Sequence, residues 1–227
     1  RFVTLLAEHP WFQVVSVAAS ERSAGRSYAD AVKDRWAMAV PVPQQVAALP
    51  VANAADVEAV AAGVDFVFCA VDMPKDQTRD LEDRYAKAET PVVSNNSAHR
   101  ATPDVPMLLP EINTDHLAVI AAQRRRLGTK SGFIAVKPNC SIQSYVPALH
   151  PLRGFGIEKV VVCTYQAISG AGKTFKDWPE MVDNVIPFIG GEEEKSEKEP
   201  LKVWGTVTGG GIVPAAGPAI TSQCIRV

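Results

Sequence analysis

Over residues 1–137, short apolar runs alternate with amphipathic and charged stretches. The run "FQVVSVAAS" at 12–20 is apolar and β-branched, which predicts a strand. "SYADAVKDRW" at 27–36 has helical spacing. "VDFVFCAV" at 64–71 is nearly all apolar, as in a strand covered on both faces of a parallel sheet. The charged helical pattern "KDQTRDLEDRYAKAE" at 75–89 follows, and then "TPVVSNN" at 90–96, a strand that ends in polar residues. Strand–helix alternation of this kind predicts an α/β, Rossmann-like doubly wound domain, in which ligands sit at the carboxyl ends of the strands. The polar stretches "ASERSAG" (19–25), "SNNSAHR" (94–100) and "KPNC" (137–140) fall at such ends.

The pattern changes after that. "IEKVVVCTYQAISGAG" at 157–172 is a long strand ending in small residues. "DNVIPFIGGEEEKSEKEPLKVWG" at 183–205 is a Pro/Gly loop that feeds a charged helix, and "AITSQCIRV" at 219–227 is strand-like again. Long strands with fewer helices between them predict an α+β domain with a mixed sheet. The expected division is therefore 1–137 and 138–227, with no internal repeat and no low-complexity linker.

The totals narrow the function classes. With 227 residues and 47% hydrophobic content, the chain can bury its own core. A net charge of −2 gives no general attraction to nucleic acid or to an anionic membrane. No apolar run reaches the roughly 18 residues of a membrane span. The first residues have no signal-peptide layout, and Cys69, Cys140, Cys163 and Cys224 form no CxxC pair. No metal site is expected. The composition suits a cytoplasmic enzyme with free thiols.

Candidate chemistry centres on Cys140. Pro138-Asn139 breaks the preceding strand, so Cys140 and Ser141 open the next helix, where the helix dipole favours a thiolate. Position alone leaves three readings open: a buried small hydrophobe, a metal ligand or a nucleophile. Ser169 and Gly170 belong to a small-residue turn that permits close backbone approach to a ligand. Gln166, in the strand before it, can hydrogen-bond a reacting group. Ser20, Arg22 and Ser23 follow the first strand, where Arg and Ser suit a ribose 2′-phosphate. Arg100 can grip a carboxylate or phosphate through two parallel hydrogen bonds. Glu192 and Lys195, three residues apart, share a helix face.

The stretches "SERSAG", "SNNSAHR", "PDVPMLLPEIN", "PNCS", "YQAISGAG", "DNVIPFIGGEEEK" and "ITSQCIRV", in this order and over nearly the whole chain, resemble aspartate-semialdehyde dehydrogenases of the archaeal and fungal branch. The resemblance implies NADPH-dependent reductive dephosphorylation of aspartyl phosphate, with Cys140 as nucleophile and Gln166 holding the acyl intermediate. It implies that Arg100 and Lys195 bind phosphate, that Glu192 meets the substrate ammonium and that Arg226 meets its carboxylate. Ser20, Arg22, Ser23, Ser169 and Gly170 then belong to the NADP site, with Asn95 and Asn139 beside the nicotinamide. A homodimer or homotetramer built on the second domain's sheet is implied as well.

Three departures accompany the resemblance. Arg1 falls inside the helix that follows the family's glycine loop. The family's catalytic His is expected just beyond Val227, and none of His9, His99, His116 or His150 matches its context. Lys137 stands where the family often has Asn. The 227-residue polypeptide alone is therefore expected to be nearly inactive. Competing readings are a related acyl-CoA or acyl-phosphate reductase, such as malonyl-CoA reductase, and a non-catalytic relative or fragment.

Overall fold

The computed structural model describes all residues, Arg1–Val227. The chain divides into two units, Arg1–Ala98 with Arg124–Ile134 and His99–Gln123 with Ala135–Val227. Compared with a single cut near Lys137, the difference is residues 135–137 and, chiefly, segment 99–123, both in the second unit. Hydrogen bonds hold that segment there: Ile212 N–H donates to Pro103 C=O at 2.8 Å, and the His116 ring meets Gly205 C=O at 3.0 Å.

Along the first unit run α1 (Phe2–Leu5), β1 (Val17–Ala19), α2 (Tyr28–Val32), α3 (Gln44–Ala47), β2 (Val51–Asn53), α4 (Val57–Ala61), β3 (Val67–Cys69), α5 (Lys75–Lys87) and β4 (Val92–Ser94). β1 pairs parallel with β2, and β3 with β4. Val46, Val51, Leu81, Tyr85, Ala86 and Val92 form the core. β1 is shorter than the nine-residue apolar run predicts. Trp11 and Phe12 both donate their N–H to His9 Nδ1, at 3.2 Å each, which holds the start of that run in a turn. β3 is not covered on both faces as expected. Only Cys69 is buried, while Phe68 stacks on Phe2 at 4.8 Å and meets Phe66 edge-on. An aromatic cluster thus replaces one apolar layer.

The exposed Glu89 carboxylate fastens a corner of this unit. It accepts the N–H groups of Lys130, Ser131 and Gly132 at 2.6–3.0 Å. Those bonds hold its carboxyl down at about 2. They also hold Glu89 at φ 62, a region that side-chain-bearing residues rarely occupy. Gly132 is required here, since a Cβ would lie 1.8 Å from Ala86 O.

Further along the chain come α6 (Ile120–Leu127), β5 (Ile134–Val136), α7 (Ile142–Leu149), β6 (Lys159–Gln166), α8 (Glu192–Val203), β7 (Thr206–Thr208), β8 (Gly211–Val213) and β9 (Ala219–Arg226). β6 and β9 pair parallel over eight residues, Lys159↔Ala219 to Gln166↔Arg226. β7 and β8 form an antiparallel hairpin whose Gly209-Gly210 turn supplies two positive φ angles. Parallel and antiparallel pairing coexist, as the mixed pattern predicts.

α8 is the element that builds the site. Glu192, Glu193 and Glu194 fill its first turn, where negative charge meets the positive end of the helix dipole. Pro200 lies inside it and has no N–H to offer the Ser196 carbonyl. Tyr145 of α7 fills that gap, its hydroxyl donating to Ser196 O at 2.6 Å. One helix is thereby tied to the other at the point where its own ladder is broken. No helix of the chain is long and apolar enough to cross a membrane.

Candidate active site

Cys140 stands in the turn between β5 and α7. Asn139 Oδ1 accepts both the N–H of Ser141, at 2.9 Å, and its hydroxyl, at 2.7 Å. This clasp straddles the cysteine. Asn139 and Ser141 are buried, while Cys140 is exposed. Exposure excludes the buried-hydrophobe reading. No group of three or more His, Cys, Asp or Glu side chains could hold a metal ion.

Charged groups surround this turn, and α8 supplies most of them. Glu192 Oε2 accepts from Asn139 Nδ2 at 3.0 Å, and its Oε1 from Lys195 Nζ at 2.6 Å. Burial alone would raise the Glu192 carboxyl. The hydrogen bonds from Lys195 and Asn139 outweigh it and hold the group below the usual range. Two turns past Glu192 on α8, Glu199 Oε1 accepts from Arg100 Nη1 at 3.1 Å, and its Oε2 accepts the Asn139 N–H at 2.6 Å. Lys202 Nζ donates to the carbonyls of Arg100 and Thr102, both at 2.7 Å. Burial pushes Lys202 down to about 8, against the attraction of Asp104 and Glu199. Half-buried Lys137 is pushed down by burial and by Arg100, and supported by Cys140 and Glu199. Two carboxylates of α8, each holding a cation, thus bind Asn139, the residue before the thiol.

The other face of α8 grips β9. Cys224 N–H donates to Glu193 Oε1 and Ser222 N–H to Glu197 Oε1, both at 3.0 Å. β9 ends on Arg226, opposite Gln166 of β6. Buried Arg226 donates through Nη1 to Ala167 O at 2.9 Å. Gly170 lies close beside it: a Cβ there would come 2.9 Å from Nη1. Gln166 donates to Thr164 Oγ1 at 3.3 Å, and Ser169 is exposed.

Among the expected site residues, Cys140, Asn139, Arg100, Glu192 and Lys195 fall into one linked network. Gln166, Ser169, Gly170 and Arg226 gather at the ends of β6 and β9. The Asn139 amide is engaged by Glu192 and Ser141. Ser20, Arg22, Ser23 and Asn95 lie in the first unit. Ser20 and Arg22 are exposed at the end of β1, Ser23 is buried there with its N–H on Ser20 O at 2.9 Å, and exposed Asn95 donates its N–H to Cys69 O at 2.8 Å. The Arg22 guanidinium makes no hydrogen bond or ion pair within the chain, so a phosphate monoester would find it available. His116 is locked, with Nδ1 toward Asn113 and Nε2 toward Gly205 O, and is 1% exposed. Glu199 and Lys202 were not anticipated. Their spacing of seven and ten from Glu192 puts them on its helix face, which is the one signal the sequence offers.

The fold is thus a two-unit α/β structure whose exposed cysteine follows a residue tied to two carboxylates, each of which holds a cation. Residues 1–120 match the model for the semialdehyde dehydrogenase NAD binding domain, and residues 149–227 match that for the semialdehyde dehydrogenase dimerisation domain. The chain belongs to the semialdehyde dehydrogenase family. It is 40% identical, over all its length and 64% of that protein, to an aspartate-semialdehyde dehydrogenase of Archaeoglobus fulgidus. It is 39% identical, over all its length and 63% of that protein, to one of Methanothermobacter thermautotrophicus. Among solved structures, that of the Candida albicans aspartate semialdehyde dehydrogenase with NADP superposes with a TM-score of 0.86 at 33% identity, covering the whole chain and 63% of that protein. The chain thus spans somewhat less than two thirds of these relatives.

Proposed function

We propose that the protein containing this chain is an NADP-dependent aspartate-semialdehyde dehydrogenase that interconverts L-aspartyl 4-phosphate and L-aspartate 4-semialdehyde in amino-acid biosynthesis. The observation that carries this is the exposed Cys140 clasped by Asn139 and Ser141, with Arg100 and Lys195 bound into the same network. The relatives' names support the substrate.

In the reductive direction, the Cys140 thiolate attacks the acyl carbon of aspartyl phosphate. The C–S bond forms, the bond from acyl carbon to phosphate oxygen breaks, and phosphate leaves with the electron pair. Arg100 and Lys195 hold the phosphate charge. Glu192 faces the substrate ammonium and Arg226 its carboxylate, while Gln166 steadies the thioester oxygen. Ser20, Arg22 and Ser23 would hold the 2′-phosphate of NADPH, with further contacts at Asn95, Ser169 and Gly170, and the bound cofactor would supply a hydride to the thioester carbon. Cys140 then leaves as thiolate and the aldehyde is released.

Glu192 and Arg226 favour this reading over an acyl-CoA reductase, since a CoA thioester presents no ammonium. An oligomer is proposed through the β6/β9 sheet, whose outer face leaves Val161 86% and Tyr165 71% exposed. A homodimer or homotetramer and a cytoplasmic location complete the reading, with all four cysteines free. The test is to assay the full-length protein for oxidation of aspartate semialdehyde with NADP, with and without phosphate. Phosphate-dependent reduction of NADP supports the reading. Turnover that requires CoA instead, or none with phosphate, contradicts it.

A further inference from the structure

The carboxylate of Glu199 bridges two parts of the site that sequence separates by about forty residues. One oxygen takes Arg100 Nη1 at 3.1 Å and the other takes the main-chain N–H of Asn139, the residue before Cys140, at 2.6 Å. Arg100, Asn139 and Glu199 are each less than a tenth exposed, so water offers little alternative partnership. The Arg100 backbone is fixed as well, because Lys202, three residues along the same helix, donates to Arg100 O and Thr102 O. Both contacts come from the α8 face that carries Glu192 and Lys195.

We infer that Glu199 is a positioning residue for the reaction: it sets the place of the anion-binding guanidinium relative to the Cys140 turn, with Lys202 as its backbone anchor. This rests on the reading of Cys140 as nucleophile and Arg100 as phosphate ligand. Two consequences run in opposite directions. Removing the Glu199 charge takes one anionic partner from Arg100, so phosphate should bind no more weakly, and even more tightly. The same change loosens the turn that presents the thiol, so chemistry should slow. A residue that merely held the fold would weaken all ligands alike and leave turnover per folded molecule intact.

The experiment compares full-length wild type, Glu199→Gln and Lys202→Met. Glutamine keeps the volume, but it can accept only one of the two bonds and presents an N–H to the other donor. For Glu199→Gln, kcat with semialdehyde should fall about 10–100-fold, the size of losing a charge-assisted hydrogen bond. The KM for phosphate should stay level or fall, and inorganic phosphate should raise the melting temperature of this variant more than that of wild type. Lys202→Met should lower kcat in the same sense with the carboxylate intact, and it decides the matter if Glu199→Gln does not fold. A raised phosphate KM with kcat unchanged, or equal phosphate protection in all three proteins, overturns the inference. If wild type fails to turn over semialdehyde while the phosphate-protection difference persists, the substrate reading falls and the positioning role stands.

Discussion

Each unit contains a carboxylate that accepts main-chain N–H groups, and the two are used differently. Glu89 gathers the N–H groups of Lys130, Ser131 and Gly132 and has no cation among its partners. It is exposed, and its partners are three main-chain N–H groups and the Ser131 hydroxyl. Glu199 is buried and divided between one N–H and one guanidinium. A carboxylate held by neutral donors on one neighbouring segment is a fastener. Glu199, by contrast, ties a cation to the residue before Cys140, which under the proposed function makes it part of the site. Burial and the identity of the second partner make the difference, and spacing along the chain does not reveal either.

Substitutions in full-length protein can sharpen or break this contrast. The largest effect is expected for Cys140→Ser, which should reduce kcat by about 10⁴-fold or more with the melting temperature unchanged, since a hydroxyl is a far poorer nucleophile than a thiolate. A loss under tenfold would show that the turn held by Glu199 is not where chemistry occurs. Next come the proposed substrate handles. Lys195→Ala should raise the KM for phosphate, and Arg226→Lys should chiefly damage semialdehyde turnover by removing bidentate geometry, each by about 10–100-fold. Equal effects on both substrates would make these residues fasteners like Glu89. Smaller, and confined to one cofactor, is Arg22→Ala. It should weaken NADPH by about 1.5–3 kcal/mol and leave NADH nearly untouched, as a pair of cofactor titrations would show.

The smallest effect on turnover is expected for Glu89→Gln, which should lower the melting temperature by a few degrees while kcat stays level. Its pH dependence is specific. The native carboxyl lies at about 2, below its ordinary value of 4.5, so the folded state holds this proton less tightly than the unfolded one. The contribution is complete above pH 4.5 and disappears as pH falls toward 2. Melting curves of wild type and variant should therefore converge on acidification. A constant gap from pH 7 to pH 3 would contradict the fastener role.

Much of the site could be read from the sequence where local chemistry suffices. Pro-Asn before Cys140 predicts a strand break, and the break is there. Glu192 and Lys195, three apart, form the expected ion pair at 2.6 Å. Glu199 and Lys202 escaped notice because "EEEKSEKEPLK" reads as a solvated charged face. Only packing shows that Glu199 and Lys202 are buried while Glu194 and Lys198 are exposed. The link from Tyr145 to the carbonyl freed by Pro200 joins positions 51 apart in sequence to Ser196 and leaves no local trace. Segment 99–123 belongs with the second unit through bonds to Lys202, Gly205 and Ile212, and no composition shift marks its ends.

Selective thiol labelling examines the nucleophile most directly, because the chain contains its own controls. Cys140 and Cys163 are both exposed, and Cys69 and Cys224 are both buried. Exposure alone predicts that Cys140 and Cys163 react with iodoacetamide at similar rates, with no response to phosphate. A nucleophilic thiol with cationic side chains in its neighbourhood is more reactive than an ordinary surface thiol. Limited labelling followed by peptide mapping should find Cys140 modified first, and inorganic phosphate should slow its modification without slowing that of Cys163. Equal rates at the two exposed thiols, both indifferent to phosphate, would contradict the assignment of Cys140.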